Sequence, residues 1–214
     1  MNVAILGLGR FGSQLARELG RLGVDVLAVD HDGAIVNTMV ESVLLAAEGN
    51  VEEVEFLESL SLHNYDSVVI AIGSDVATSV LVTLTLKQRL RLDHVVAKAS
   101  SNEHTRALEL AGADVVVNPE SEAAQRLAHT LGSREISDYM ALGGEQGIAR
   151  VRAPYSATGK AIGDLDIDGR YNVFLLARLR EDSVSFNPAL DETVQQGDTW
   201  IVAGRDDQLR ALQQ

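Results

Sequence analysis

The segment Gly7-Leu8-Gly9-Arg10-Phe11-Gly12 constrains this chain more than any other. It follows a short apolar run, Val3 to Leu6, and opens a stretch in which Phe11, Leu15, Leu19 and Leu22 recur at helical spacing. A glycine-rich turn between a buried strand and a helix is the setting in which the G-x-G-x-x-G pattern carries physical meaning. The first glycine permits the tight turn, the second lets backbone approach a pyrophosphate, and the third lets helix pack closely on strand. The helix start then offers unpaired N–H groups to phosphate. A second apolar run, Val26 to Val29, ends at Asp30, where a carboxylate suits hydrogen bonds from ribose hydroxyls. No basic residue accompanies Asp30, which argues against a 2′-phosphate and so against NADP. Arg10, inside the glycine loop, offers a guanidinium fork to terminal phosphates and tilts the reading from NAD towards ATP or ADP.

Strand-like and helical patterns go on alternating. Apolar runs at 43–46, 68–72, 95–99 and 114–117 alternate with helical spacing around 35–40, 56–60, 76–90 and 103–111. That alternation predicts an α/β fold, a Rossmann-like doubly wound parallel sheet with helices on both faces. The pattern changes after Leu131. Ser121 to Leu131 reads as a helix leading away and Ile136 to Leu142 as a further short helix, with a break at Gly143-Gly144. Strand-like runs then recur at 148–151, 173–179 and 200–202. The expected organisation is a nucleotide-binding domain over 1–132, then a helical linker and a small α+β C-terminal subdomain over 133–214.

Composition narrows the function. The chain has 214 residues, no cysteine and a net charge of −13. Disulfides, thiolate metal sites and a cysteine nucleophile are excluded. The acidic balance argues against nucleic acid and against anionic membrane as partners. No run reaches the ~18–20 apolar residues that span a bilayer. Met1 to Leu6 lacks the basic residues of a signal peptide, so an intracellular, soluble chain is expected. The histidines (31, 63, 94, 104 and 129) show no metal-ligand spacing, and there is no nucleophile elbow, Walker loop or Tyr-x-x-x-Lys. A binding fingerprint without a catalytic constellation favours a sensor over an enzyme. The competing reading, a small NAD-dependent oxidoreductase, lacks a visible hydride-acceptor site.

The glycine loop, Ala28-Val29-Asp30, Ala71-Ile72-Gly73, Ala97-Lys98-Ala99, Gly112-Ala113-Asp114 and Asn118-Pro119-Glu120 together resemble the RCK (KTN) regulatory subunits of potassium-uptake systems, KtrA/TrkA type. Gly159-Lys160, Asp164-Leu165 and Gly197-Asp198-Thr199 extend the likeness through the tail. The resemblance implies a cytoplasmic ring on the inner face of the cell membrane, built from dimers into an octamer and docked on a potassium-translocating subunit of KtrB/TrkH type. It implies ATP/ADP as ligand, with NAD(H) as the TrkA-like alternative. Gly7, Gly9 and Gly12 lie under the phosphates by this likeness. Asp30, His31 and Asp32 fall near the ribose, Asn50 near the adenine, and Phe11, Ala71, Ile72 and Gly73 beside the nucleotide. Lys98 approaches phosphate, Arg10 reaches a terminal phosphate across a subunit interface, and Glu120 is associated with a cation at the nucleotide site. Some relatives bind cyclic di-AMP in the subdomain. Pro188 resembles a residue lining that site, but Asp168 stands where binders carry arginine, with Arg170 two residues on.

Overall fold

The computed structural model describes residues 1–212. They form two compact units, the first ending at Glu120 and the second beginning at Ser121. The division falls inside one helix, so that helix, assigned whole to the first domain from the sequence, contributes its first two residues to one unit and the rest to the other.

In the first unit, strands β1 (Asn2–Leu6), β2 (Asp25–Asp30), β3 (Leu45–Glu48), β4 (Ser67–Ile70), β5 (Val95–Lys98) and β6 (Val115–Val117) form a parallel sheet in the order β3-β2-β1-β4-β5-β6. This is the Rossmann order, which reverses between β1 and β4. The period of two along β1 builds both faces. Val3 and Ile5 join Ala16, Val36 and Met39 from helices α1 (Arg10–Arg21) and α2 (Gly33–Asn37) and the segment after α2. Ala4 and Leu6 join Leu57, Val82 and Leu108 from α3 (Val54–Ser59), α4 (Val76–Leu84) and α5 (Asn102–Ala111). Such double burial is what makes the strands continuous apolar runs. The third strand lies two residues later than its apolar run predicts, because its register on β2 pairs Leu27 with Leu45 and Asp30 with Glu48.

The second unit begins within α6 (Pro119–Gly132) and contains an antiparallel sheet. Its strands are β7 (Ile136–Gly143), β8 (Gln146–Arg152), β9 (Phe174–Arg180), β10 (Ser183–Phe186) and β11 (Thr199–Arg205), in the order β10-β9-β11-β8-β7. Trp200, Val202, Ala149 and Val151 share a core with Ile162 of α7 (Ile162–Leu165), Ile167 of α8 (Ile167–Tyr171) and Leu209 of α9 (Asp206–Ala211). The helix expected over Ile136 to Leu142 is strand β7. Its pairing with β8 slips between Ile136 and Asp138, so Ile136 and Tyr139, three apart, both face the core and imitate helical spacing. The Gly143-Gly144 break is the turn of that hairpin; both glycines and Glu145 have positive φ.

Candidate functional site

The candidate site lies at the carboxyl ends of β1, β2, β4 and β5, across the point where strand order reverses. Gly7 leaves β1 with φ +99°, a conformation that glycine adopts without strain. Its amide donates to the Val29 carbonyl at 2.8 Å, which fastens the loop to β2. A Cβ on Gly12 would lie 2.0 Å from the Gly7 carbonyl oxygen and 3.0 Å from Ala71 Cβ. One on Gly7 would meet Ile72 at 3.1 Å. The glycine loop is thus pressed against the segment leaving β4, which brings Ala71, Ile72 and Gly73 beside it. At Gly9, the residue before α1, a Cβ would meet nothing within 4 Å. Packing within the chain therefore gives no reason for glycine at that position.

Asp30, 7% exposed at the end of β2, accepts the Leu8 amide at 2.6 Å on Oδ2 and the Asp32 amide at 3.0 Å on Oδ1. It braces the glycine loop, and the remaining lone pairs of its two oxygens can take further donors. His31 is exposed, with Nδ1 3.0 Å from Asp30 Oδ1. Asp32 caps α2 by accepting the Ala34 amide at 2.9 Å. Asn50 lies beyond the end of β3, exposed, its Oδ1 accepting the Glu52 amide at 3.0 Å. The residue that ends β3 opposite Asp30 is Glu48, whose carboxylate lies against Gly33. Sequence reasoning passed over Glu48. Only the register of β3 on β2 sets it beside the acidic pair Asp30 and Asp32.

Across the reversal point, Lys98 ends β5 with only 11% of its side chain exposed. Its Nζ lies 3.0 Å from where a Cβ on Gly73 would stand and 5.7 Å from the centre of the Phe11 ring. It donates to Glu120 Oε1 at 2.8 Å. That bond, seconded by the Glu120 amide and by the charge of Arg10, holds the Glu120 carboxyl below its ordinary range. Arg10 itself is exposed at the start of α1. Glycine-loop amides, a buried carboxylate on one side and a nearly buried ammonium on the other form a frame that can bind a ribose–phosphate ligand.

The residues expected near a second ligand belong to the other unit. Asp168 and Arg170 are exposed on α8, and Pro188 is buried. Sequence reasoning also missed the partly buried ion pairs of that unit. Arg180 grips Asp198 with two bonds of 2.7 and 2.8 Å, and Arg178 pairs with Glu192. Among the described residues no cluster of His, Cys, Asp or Glu is arranged to hold a metal ion. No helix among them is long and apolar enough to cross a membrane.

The TrkA-N domain model matches residues 3–119. Ktr system potassium uptake protein C of Bacillus subtilis (strain 168) is 35% identical over 201 residues, covering 94% of this chain and 90% of that one. Ktr system potassium uptake protein A of the same organism is 30% identical, covering 98% and 94%. Among solved structures, the GsuK RCK domain shares the fold with a TM-score of 0.57 at 21% identity, over 98% of this chain and 45% of that one.

Proposed function

The chain belongs to the TrkA-N family, alongside Ktr system potassium uptake proteins, and from that premise we propose that it is a nucleotide-sensing regulatory subunit of a potassium-uptake system. In this reading it works in the cytoplasm as a homo-oligomeric ring, assembled from dimers into an octamer. The ring sits on the inner face of the membrane against a potassium-translocating subunit of KtrB/TrkH type. It catalyses no reaction. ATP or ADP binds one ring geometry better than another, and that difference biases the partner's gate. A 100-fold preference at one site is worth about 2.7 kcal/mol, so several coupled sites suffice to decide it.

One observation carries the reading. In a chain alignable with a Ktr protein over nearly its full length, the glycine loop, Asp30 and Lys98 converge at the strand-order reversal. Gly7, Gly9 and Gly12 receive the phosphates beside Phe11, Ala71, Ile72 and Gly73. Asp30 and Asp32, flanked by His31, receive the ribose, and Asn50 lies towards the base. Arg10 and Lys98 meet the distal phosphates, and Glu120 faces any cation that accompanies them. Two cations aimed at distal phosphate favour ATP and ADP over NAD(H), which has none.

The test is a calorimetric titration of the purified chain with ATP, ADP, NAD, NADH and cyclic di-AMP, with Mg²⁺ present. Tight ATP and ADP binding with weak NAD(H) binding is the expected result. Preference for NAD(H) would move the assignment to a TrkA-like sensor, and substrate-dependent NADH oxidation would revive an enzyme. Absence of heat with every mononucleotide and dinucleotide would sink the proposal. Light scattering with and without ADP reads the ring, and co-purification with the membrane subunit reads the partner.

A further inference from the structure

The Lys98–Glu120 ion pair joins the nucleotide frame to the start of α6. Lys98 Nζ lies inside the nucleotide frame, beside Gly73 and the Phe11 ring. Glu120 is the second residue of α6 and the last residue of the first unit. We propose that this pair is a phosphate-operated latch: in the empty site Glu120 is the counter-ion of Lys98, and a nucleotide's distal phosphate takes its place and frees the first turn of α6. The inference rests on the nucleotide-binding reading above and adds its regulation.

The argument is one of charge and burial. An ammonium with 11% of its side chain exposed needs a counter-charge, because desolvation is costly without one. Its partner among the described contacts is a single carboxylate oxygen at 2.8 Å. The phosphates of ADP bring more than one negative charge and several acceptor oxygens to the same place. Glu120 cannot remain at 2.8 Å from Lys98 and beside that phosphate without like-charge repulsion. Its side chain is 64% exposed, so once displaced it hydrates at little cost. The exchange therefore runs towards phosphate. It also removes a bond that holds the α6 start to the end of β5. Arg10, whose charge acts on Glu120, is a second cation for which carboxylate and phosphate compete.

The latch predicts a signature opposite to that of an ordinary binding residue. Removing a carboxylate that competes with phosphate should tighten ADP binding. Calorimetry in EDTA, which keeps any cation role of Glu120 out of the measurement, compares the native full chain with Glu120→Gln. The expected result is ADP affinity about two- to fivefold higher, the range an ion pair of this exposure supplies. Adenosine, which has no phosphate, should bind both proteins alike. Amide exchange over the first two turns of α6 should rise when ADP binds the native chain. In Glu120→Gln it should be high already and insensitive to ADP. ADP binding that is unchanged or weaker in Glu120→Gln overturns the latch and leaves the nucleotide site standing. So does α6 exchange in the native chain that ADP leaves unmoved. No ADP binding to either protein overturns the binding reading and the latch together.

Discussion

Gly9 and Gly12 separate the two reasons a loop can require glycine, and substituting each by alanine tests the site without a structure of the complex. A Cβ on Gly12 stands 2.0 Å from the Gly7 carbonyl oxygen, where real Cβ contacts need at least 3.0 Å. The obstacle is backbone, so the loop must move by about 1 Å; no side chain can rotate away. Overpacking of this kind costs ~1–3 kcal/mol, with the upper end apt for a backbone clash. Alanine in the first turn of α1 returns up to ~1 kcal/mol of helix propensity. The net for Gly12→Ala is a loss of about 2 kcal/mol, or roughly 4–8 °C in melting temperature. At Gly9 the backbone has φ −58° and ψ −171°, open to alanine, and the added methyl meets nothing within 4 Å. The poorer cap and the stiffer unfolded chain each contribute ~0.5–1 kcal/mol with opposite sign, so the melting temperature of Gly9→Ala stays within about 3 °C of native. That methyl nevertheless occupies the approach of a pyrophosphate to the helix start, and ADP affinity should fall by at least about tenfold. Thermal melts followed by circular dichroism and ADP calorimetry on both variants decide the matter. If Gly9→Ala keeps native ADP affinity, or melts as low as Gly12→Ala, the claim that Gly9 is there for the ligand is refuted.

Three further predictions follow from other parts of the molecule. Arg10→Ala should weaken ADP and ATP about tenfold or more while leaving NAD nearly unchanged, measured by calorimetry, because NAD has no distal phosphate for the exposed guanidinium to meet. His104 is 1% exposed, with Nε2 2.7 Å from Ser79 Oγ and Nδ1 accepting the Ser100 amide at 3.2 Å, and burial pushes its pKa below 6.5. The unfolded chain therefore binds the proton more readily. Stability is full above pH 6.5 and declines as pH falls from there towards the folded value, and His104→Gln should flatten that slope in urea midpoints taken from pH 7.5 to 5. Burial pushes the Asp198 carboxyl up, but the Arg180 fork and the Gln195 amide outweigh it and hold it below 3.8. Asp198→Asn should cost ~3 kcal/mol by stranding Arg180, seen as an earlier denaturant midpoint for the second unit. In the native chain the same contribution is lost only as pH falls below 3.8, through the folded value.

Much of the frame was legible before any coordinates. The glycine loop is a local statement about backbone: a turn at φ +99° and a close approach at Gly12 can be met by glycine alone, so the pattern appears in the residues themselves. Continuous apolar runs announced strands buried on both faces, and their alternation with helical spacing announced the parallel sheet. The same local logic misread β7, where a slip in pairing at Asp138 put Ile136 and Tyr139 on one face at a helical interval. It also overlooked Glu48, because one residue of register decides which side chain ends a strand beside Asp30.

What the residues alone determined about this chain is the loop, the strands of the parallel sheet and the position of Asp30, all consequences of φ, ψ and hydrophobic period. The tertiary structure decided who meets whom. Lys98 ends β5 and Glu120 lies at the start of α6, with α5 and β6 between them, and neither signals the other in sequence. Parallel pairing of β5 with β6 and the start of α6 bring them to 2.8 Å. Arg180 finds Asp198 only because β9 and β11 are antiparallel neighbours. Backbone preferences are written within a few residues, whereas the partner of a charge is chosen by packing across the sheet, where burial makes an unpaired group too costly to keep.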